Sequence, residues 1–145
     1  MKRLILLLVL ILSFGGGLLF TLRWLQRLPS GPVDIVWDKE ACAHCHMHVG
    51  EPRFAAQLQT QQGDVLNFDD PGCLLQYQQK YKRDVHAIYF RHLHEDRWLK
   101  ESEVGFVSVD PTPMGYNLGA VPKGTPAALS MGEATQRVQS KGKAP

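Results

Sequence analysis

The sequence predicts a small α+β domain behind an N-terminal hydrophobic segment, and three observations carry that prediction. Leu4–Leu22 is a run of 19 residues without a charge. Arg53–Thr60 alternates apolar and polar residues and is followed, after a Gly-containing turn at Gln61–Asp64, by the apolar Val65–Phe68, which is the pattern of a β-hairpin. Asp69-Asp70-Pro71 then offers an Asp cap and a proline at the first helical position, with Cys73, Leu74 and Tyr77 spaced for one helix face.

The N-terminal run follows Lys2 and Arg3 and precedes Arg23, Trp24 and Arg27, so basic residues and an interfacial aromatic border a stretch about as long as a bilayer is thick. A basic start followed by Leu4–Phe14 also suits a cleaved signal, although no small-x-small cleavage site follows. Residues 1–27 are therefore read as a membrane anchor or uncleaved signal that exports the remainder. Beyond residue 27 there are 12 basic residues against all 14 acidic ones, so the formal charge of +2 belongs to the anchor and the domain is mildly acidic.

Residues 28–37 read as a linker, with Pro29 and Pro32 stopping any helix, and a first short strand at Val33–Trp37. Asp38–Pro52 is a polar loop. After the hairpin and helix comes a strand over Val85–Leu93, a turn at His94–Arg97, a helical turn at Ser102–Glu103, strands over Gly105–Val109 and Tyr116–Val121, and a rigid loop at Pro111–Gly115. Thr125-Pro126 can open a last helix through Val138, leaving 139–145 as a flexible tail.

Composition excludes several classes. With 145 residues, 21% charged and 44% hydrophobic, the chain suits one folded domain and not a disordered segment. The charge balance is too slight for a nucleic-acid binder, and three cysteines are too few for a disulfide scaffold. No small-molecule substrate is implied.

The chemistry concentrates in Cys42-Ala43-His44-Cys45-His46-Met47-His48, which holds two thiols, three imidazoles and a thioether within seven residues. Thiolate and thioether sulfur are soft donors that favour Cu(I), and imidazole serves copper, zinc and iron alike. Four readings compete: a redox C-x-x-C, a structural zinc site, a c-type haem attachment in C-x-x-C-H with His46 proximal and Met114 distal, and a copper-transfer site. Gly50-Glu51-Pro52 argues against the helix that a redox motif needs, and the β-hairpin pattern argues against a small cytochrome.

That heptad, with Glu51-Pro52-Arg53-Phe54-Ala55-Ala56-Gln57-Leu58, Asn67-Phe68-Asp69-Asp70-Pro71-Gly72-Cys73-Leu74-Leu75 and Thr112-Pro113-Met114-Gly115-Tyr116, resembles the NosL family in order and spacing over residues 38–138. The family comprises copper-binding accessory proteins of nitrous-oxide reductase maturation in the bacterial periplasm. The resemblance implies two small ββαβ-like halves, a shape compared with organomercurial lyase, and a non-enzymatic metallochaperone that carries Cu(I) to a copper-receiving enzyme or a membrane assembly or transport complex. It makes Cys45 and Met47 the first ligand candidates, Cys42 and Met114 the next, with His46 and His48 as added nitrogen donors. Cys73, on the apolar helix face, is read as a buried, inert thiol, and His86, His92 and His94 as solvated polar residues.

Two departures from the family pattern bear on these expectations. Typical members carry a lipidated cysteine after the signal, whereas no cysteine precedes Cys42, so the hydrophobic segment would itself be the tether in the inner membrane, with the domain in the periplasm. Members also usually have Gly where this chain has His46.

Overall fold

The computed structural model describes residues 13–18, 20, 21 and 28–141. Among these, no helix is long and apolar enough to cross a membrane. Most of the anchor expected over residues 1–27, and the end of the tail at 142–145, lie outside the described residues.

The hairpin, helix and third strand form as the sequence pattern requires. Strand β1 is Ala56–Thr60, β2 is Val65–Phe68, helix α1 is Pro71–Tyr81 and β3 is Val85–Arg91, a ββαβ unit. The Asp70 side chain accepts the Gly72 amide at 2.8 Å, and Pro71 occupies the first turn, where its missing N–H costs nothing. A short strand β4, Trp98–Lys100, extends the sheet in the order β2-β1-β3-β4, every pair antiparallel. Strand β4 is absent from the sequence reading because its three residues are too short for an alternating pattern.

The second half consists of β5 (Val104–Ser108) and β6 (Leu118–Pro122), paired antiparallel, followed by helix α2 (Met131–Lys141). Its order is ββα, and among the described residues no strand follows α2. The two sheets meet where His92 bridges Ala120 and the Leu93 amide donates to the Ala120 carbonyl at 2.8 Å. Phe90 and Phe106 close the seam edge to face at 5.1 Å between ring centroids, in a core that also buries Leu58, Phe68, Leu74 and Leu118.

Two segments depart from the sequence expectations. The last helix begins at Met131 instead of Thr125, because Leu129 is held in backbone hydrogen bonds with Phe106 and Ala127 has a positive φ of 61°. The helix start is a Ser130–Glu133 capping box, in which the Glu133 carboxylate accepts from the Ser130 amide at 2.8 Å and the Glu133 amide donates to Ser130 Oγ. It runs through Lys141, so residues 139–141 are helical and not tail.

Val33–Trp37 is not a strand. The segment lies as a strap over β1, tied by side chains instead of a ladder. Gln57 receives the Val33 amide at 2.8 Å and donates to the Val33 carbonyl at 2.9 Å, and Gln59 donates to the Gly31 carbonyl at 2.8 Å. This strap explains why both faces of β1 are buried, its two glutamines included, although their alternation predicts an outward polar face.

Candidate metal centre

The heptad folds as a tight hairpin. The Asp38 amide donates to the Val49 carbonyl at 3.0 Å and the Val49 amide to the Glu40 carbonyl at 2.9 Å, while Ala41 and His48 form a bridge. Inside it, the Cys42 amide donates to the Met47 carbonyl at 2.7 Å and the His46 amide to the Cys42 carbonyl at 3.0 Å. The second bond closes a single helical turn across Cys42–His46. It ends on His46 at φ 65°, the left-handed conformation in which glycine carries no strain. A glycine would fit this position without strain, and His46 occupies it here.

The hairpin is fastened to the ββαβ unit at two points. The Ala43 amide donates to the Asn67 carbonyl at 2.9 Å, and Asp69 Oδ1 accepts the Gly50 amide at 2.9 Å. These ties bring the loop over the first turn of α1. The sulfurs of Cys42, Cys45 and Cys73 lie within 4.8 Å of one another, and no histidine or carboxylate among the described residues joins them at that spacing. Cys73 is therefore part of the cluster and not an isolated core thiol. The helical pattern shows that it is buried but not that a loop about 30 residues earlier covers the same helix turn.

The three sulfurs differ in access and in acidity. Cys42 and Cys73 are buried and Cys45 is half-buried. A hydrogen bond from Cys73 holds the Cys42 thiol far below the ordinary range, to about 4, assisted by the amides of Cys45, Asp69 and His44 and opposed by burial. The same hydrogen bond, with burial, pushes Cys73 up. Burial also raises Cys45. Of the three, Cys42 is thus the most acidic and Cys73 the least, and a soft cation can take the place of the proton between them.

Three sulfurs around one ion at about 2.3 Å stand about 4 Å apart, so the observed cluster is of the right size to close on a single soft cation. The wholly buried Cys42 sulfur disagrees with covalent haem attachment, which needs both motif sulfurs open to the haem edge. Four mutually close donors for a structural zinc site are not present among the described residues.

The remaining expected donors fall into two groups. His46, Met47 and His48 are exposed at the hairpin, Met47 to 58%. Met114 is half-buried and packs against the same core as the three cysteines. Its amide donates to Asp70 Oδ2 at 3.1 Å, and Thr112 hydrogen-bonds the same carboxylate. Tyr116, two residues on, seats its ring over Gly72, where an added Cβ would lie 2.1 Å from the ring. Burial raises the Tyr116 hydroxyl to about 12, with the nearby cysteines and Asp70 contributing. The histidines further along are set apart: His92 is buried and accepts the His94 and Glu95 amides on Nδ1, at 3.1 and 3.0 Å, which corrects its reading as solvated.

Comparison with protein-family models and with curated proteins finds no match. Among solved structures the chain is similar to one described as the copper chaperone NosL from Shewanella denitrificans. At 16% sequence identity the likeness covers 78% of this chain and 89% of that chain, with a TM-score of 0.54. At that identity it is a likeness of fold: a mixed α/β chain with antiparallel sheets that resembles the NosL fold, in agreement with the family its motifs resemble.

Proposed function

We propose that this protein is a NosL-like metallochaperone that binds one Cu(I) through Cys42, Cys45 and Cys73 and passes it to a copper-receiving partner. The observation that carries the reading is the three-sulfur cluster, assembled from a loop and a helix start on a fold shared with a copper chaperone. An all-sulfur set suits Cu(I) over harder cations. The half-buried Cys45 is the sulfur an approaching partner meets first, and the exposed thioether of Met47 offers a neutral ligand during exchange. The half-buried Met114 supplies a second thioether from the loop tied to Asp70. Ligands are replaced one at a time, so no bond in the protein is made or broken and no turnover results.

The recipient is a copper enzyme or a membrane assembly complex, with nitrous-oxide reductase maturation the assignment that the motifs favour. Export and tethering through residues 1–27 complete the reading, since a membrane-held carrier meets a membrane-held partner at raised local concentration. The test is a competition titration of the reduced protein with a chromophoric Cu(I) chelator. One Cu(I) per chain is expected, with affinity reduced by Cys42→Ser, Cys45→Ser and Cys73→Ser alike. Unaltered affinity in all three variants would remove the assignment.

A further inference from the structure

The same three sulfurs differ in a way that Cu(I) binding does not require. Cys45 alone is open to solvent, whereas Cys42 and Cys73 are fully buried. Cys42 and Cys45 belong to one turn, closed by the His46 amide on the Cys42 carbonyl. In a turn of that kind residues i and i+3 have α carbons about 5 Å apart, inside the roughly 4.4–6.8 Å that a disulfide accepts. Cys73 is held differently. It lies in the first turn of α1, fixed by the Asp70 cap and by the Tyr116 ring over Gly72, so its backbone has little freedom to follow a contracting bond.

We propose that Cys42 and Cys45 form a thiol–disulfide exchange site in the metal-free protein, with Cys45 taking the incoming disulfide, Cys42 resolving it and Cys73 remaining a thiol. The co-reactant is a small disulfide or the disulfide of an oxidoreductase. The Cys45 thiol gives up its proton to solvent as its sulfur attacks one sulfur of R–S–S–R, the S–S bond breaks, and RS⁻ leaves and takes up a proton. Cys42 then attacks Cys45 Sγ in the mixed disulfide, releasing the second RS⁻, which is also protonated. In sum, two protein thiols lose two electrons and two protons, and R–S–S–R becomes two RSH. A dithiol runs the sequence backwards and restores the cluster.

The consequence for the proposed function is a redox gate: oxidation removes two of three sulfurs, and a bound Cu(I) occupies the same sulfurs and blocks oxidation. This last point rests on the Cu(I) reading, whereas the exchange chemistry does not.

The test treats the reduced, metal-free full chain with glutathione disulfide under anaerobic conditions, alkylates remaining thiols and maps the products by peptide mass spectrometry. A Cys42–Cys45 disulfide with alkylated Cys73 is expected, formed also in Cys73→Ser, and Cys42→Ser should accumulate a glutathione adduct at Cys45. Three alkylated cysteines, or a disulfide that includes Cys73, overturns the proposal, and the unsubstituted chain alone decides this if a variant fails to fold. Preloading with Cu(I) should slow the reaction about tenfold or more, because the thiolate is no longer free. If the Cys42–Cys45 disulfide forms at an unchanged rate with Cu(I) present, the Cu(I) assignment falls and the exchange site stands. Tight Cu(I) binding without any disulfide overturns the exchange site and leaves the Cu(I) assignment in place.

Discussion

Asp70 and Met114 are joined by a hydrogen bond of 3.1 Å from the methionine amide to Asp70 Oδ2, while the other carboxylate oxygen caps the helix that carries Cys73. One buried side chain thus positions a loop and a helix start around the same cluster. Asp70→Asn keeps an oxygen for the Gly72 amide but turns an N–H₂ towards the Met114 amide. We expect helix α1 to persist, hydrogen exchange at the Met114 amide to accelerate, and stability to fall by about 1–3 kcal/mol in denaturant unfolding.

His46 sits at φ 65° at the end of the Cys42–His46 turn. A His46→Gly substitution removes the imidazole without straining the turn, and we expect the fold and Cu(I) affinity to be retained, because among the described residues no imidazole joins the three sulfurs. His46→Val forces a branched side chain into the left-handed region and should destabilise by about 1–2 kcal/mol, read as a shift in thermal midpoint.

Gly72 lies directly under the Tyr116 ring. The Gly72→Ala methyl cannot be accommodated without moving that ring and the Met114 loop with it. Overpacking of this kind costs about 1–3 kcal/mol. Because the Met114 loop moves with the ring, Gly72→Ala should also weaken Cu(I) binding, and Tyr116→Ala in that background should recover part of the loss, read by chelator competition.

How much of the fold and the site is legible in the sequence follows from the range over which each signal acts. Asp70-Pro71 announces its helix because a cap and a first-turn proline are local chemistry, and β1, β2 and β3 announce themselves by alternation and a turn. Gln57 and Gln59 mislead, since their burial comes from the Gly31–Val33 strap, whose contact with β1 lies 24 to 28 residues away in sequence. Cys42 and Cys45 are visible through their spacing. Cys73 falls in a core-facing position, as its helix pattern predicts, but its approach to the other two depends on Asn67 and Asp69 holding the hairpin over α1, which no spacing rule encodes. The α2 start is readable from Ser130 and Glu133 but is masked by the stronger Thr125-Pro126 signal.

His92 accepts two backbone amides on Nδ1, so its neutral form is the one the fold uses, and burial lowers its basicity. Glu95 faces Nε2 at 3.6 Å and favours the charged form, while Arg97 and His94 oppose it. With a folded-state value below the unfolded one, the stabilisation is complete above about pH 6.5 and is lost as pH falls below it, because the unfolded chain takes up the proton first. We expect a thermal midpoint that declines from pH 7 to pH 5, and a smaller decline in His92→Asn, whose Oδ1 can accept the same amides without titrating.

Copper coordination by all three cysteines is tested most directly by X-ray absorption at the copper edge of the Cu(I)-loaded protein, compared with Cys73→Ser. Three sulfur scatterers at about 2.3 Å are expected, reduced by one in the variant. A first shell containing nitrogen, or one that Cys73→Ser leaves unchanged, would contradict the three-sulfur site.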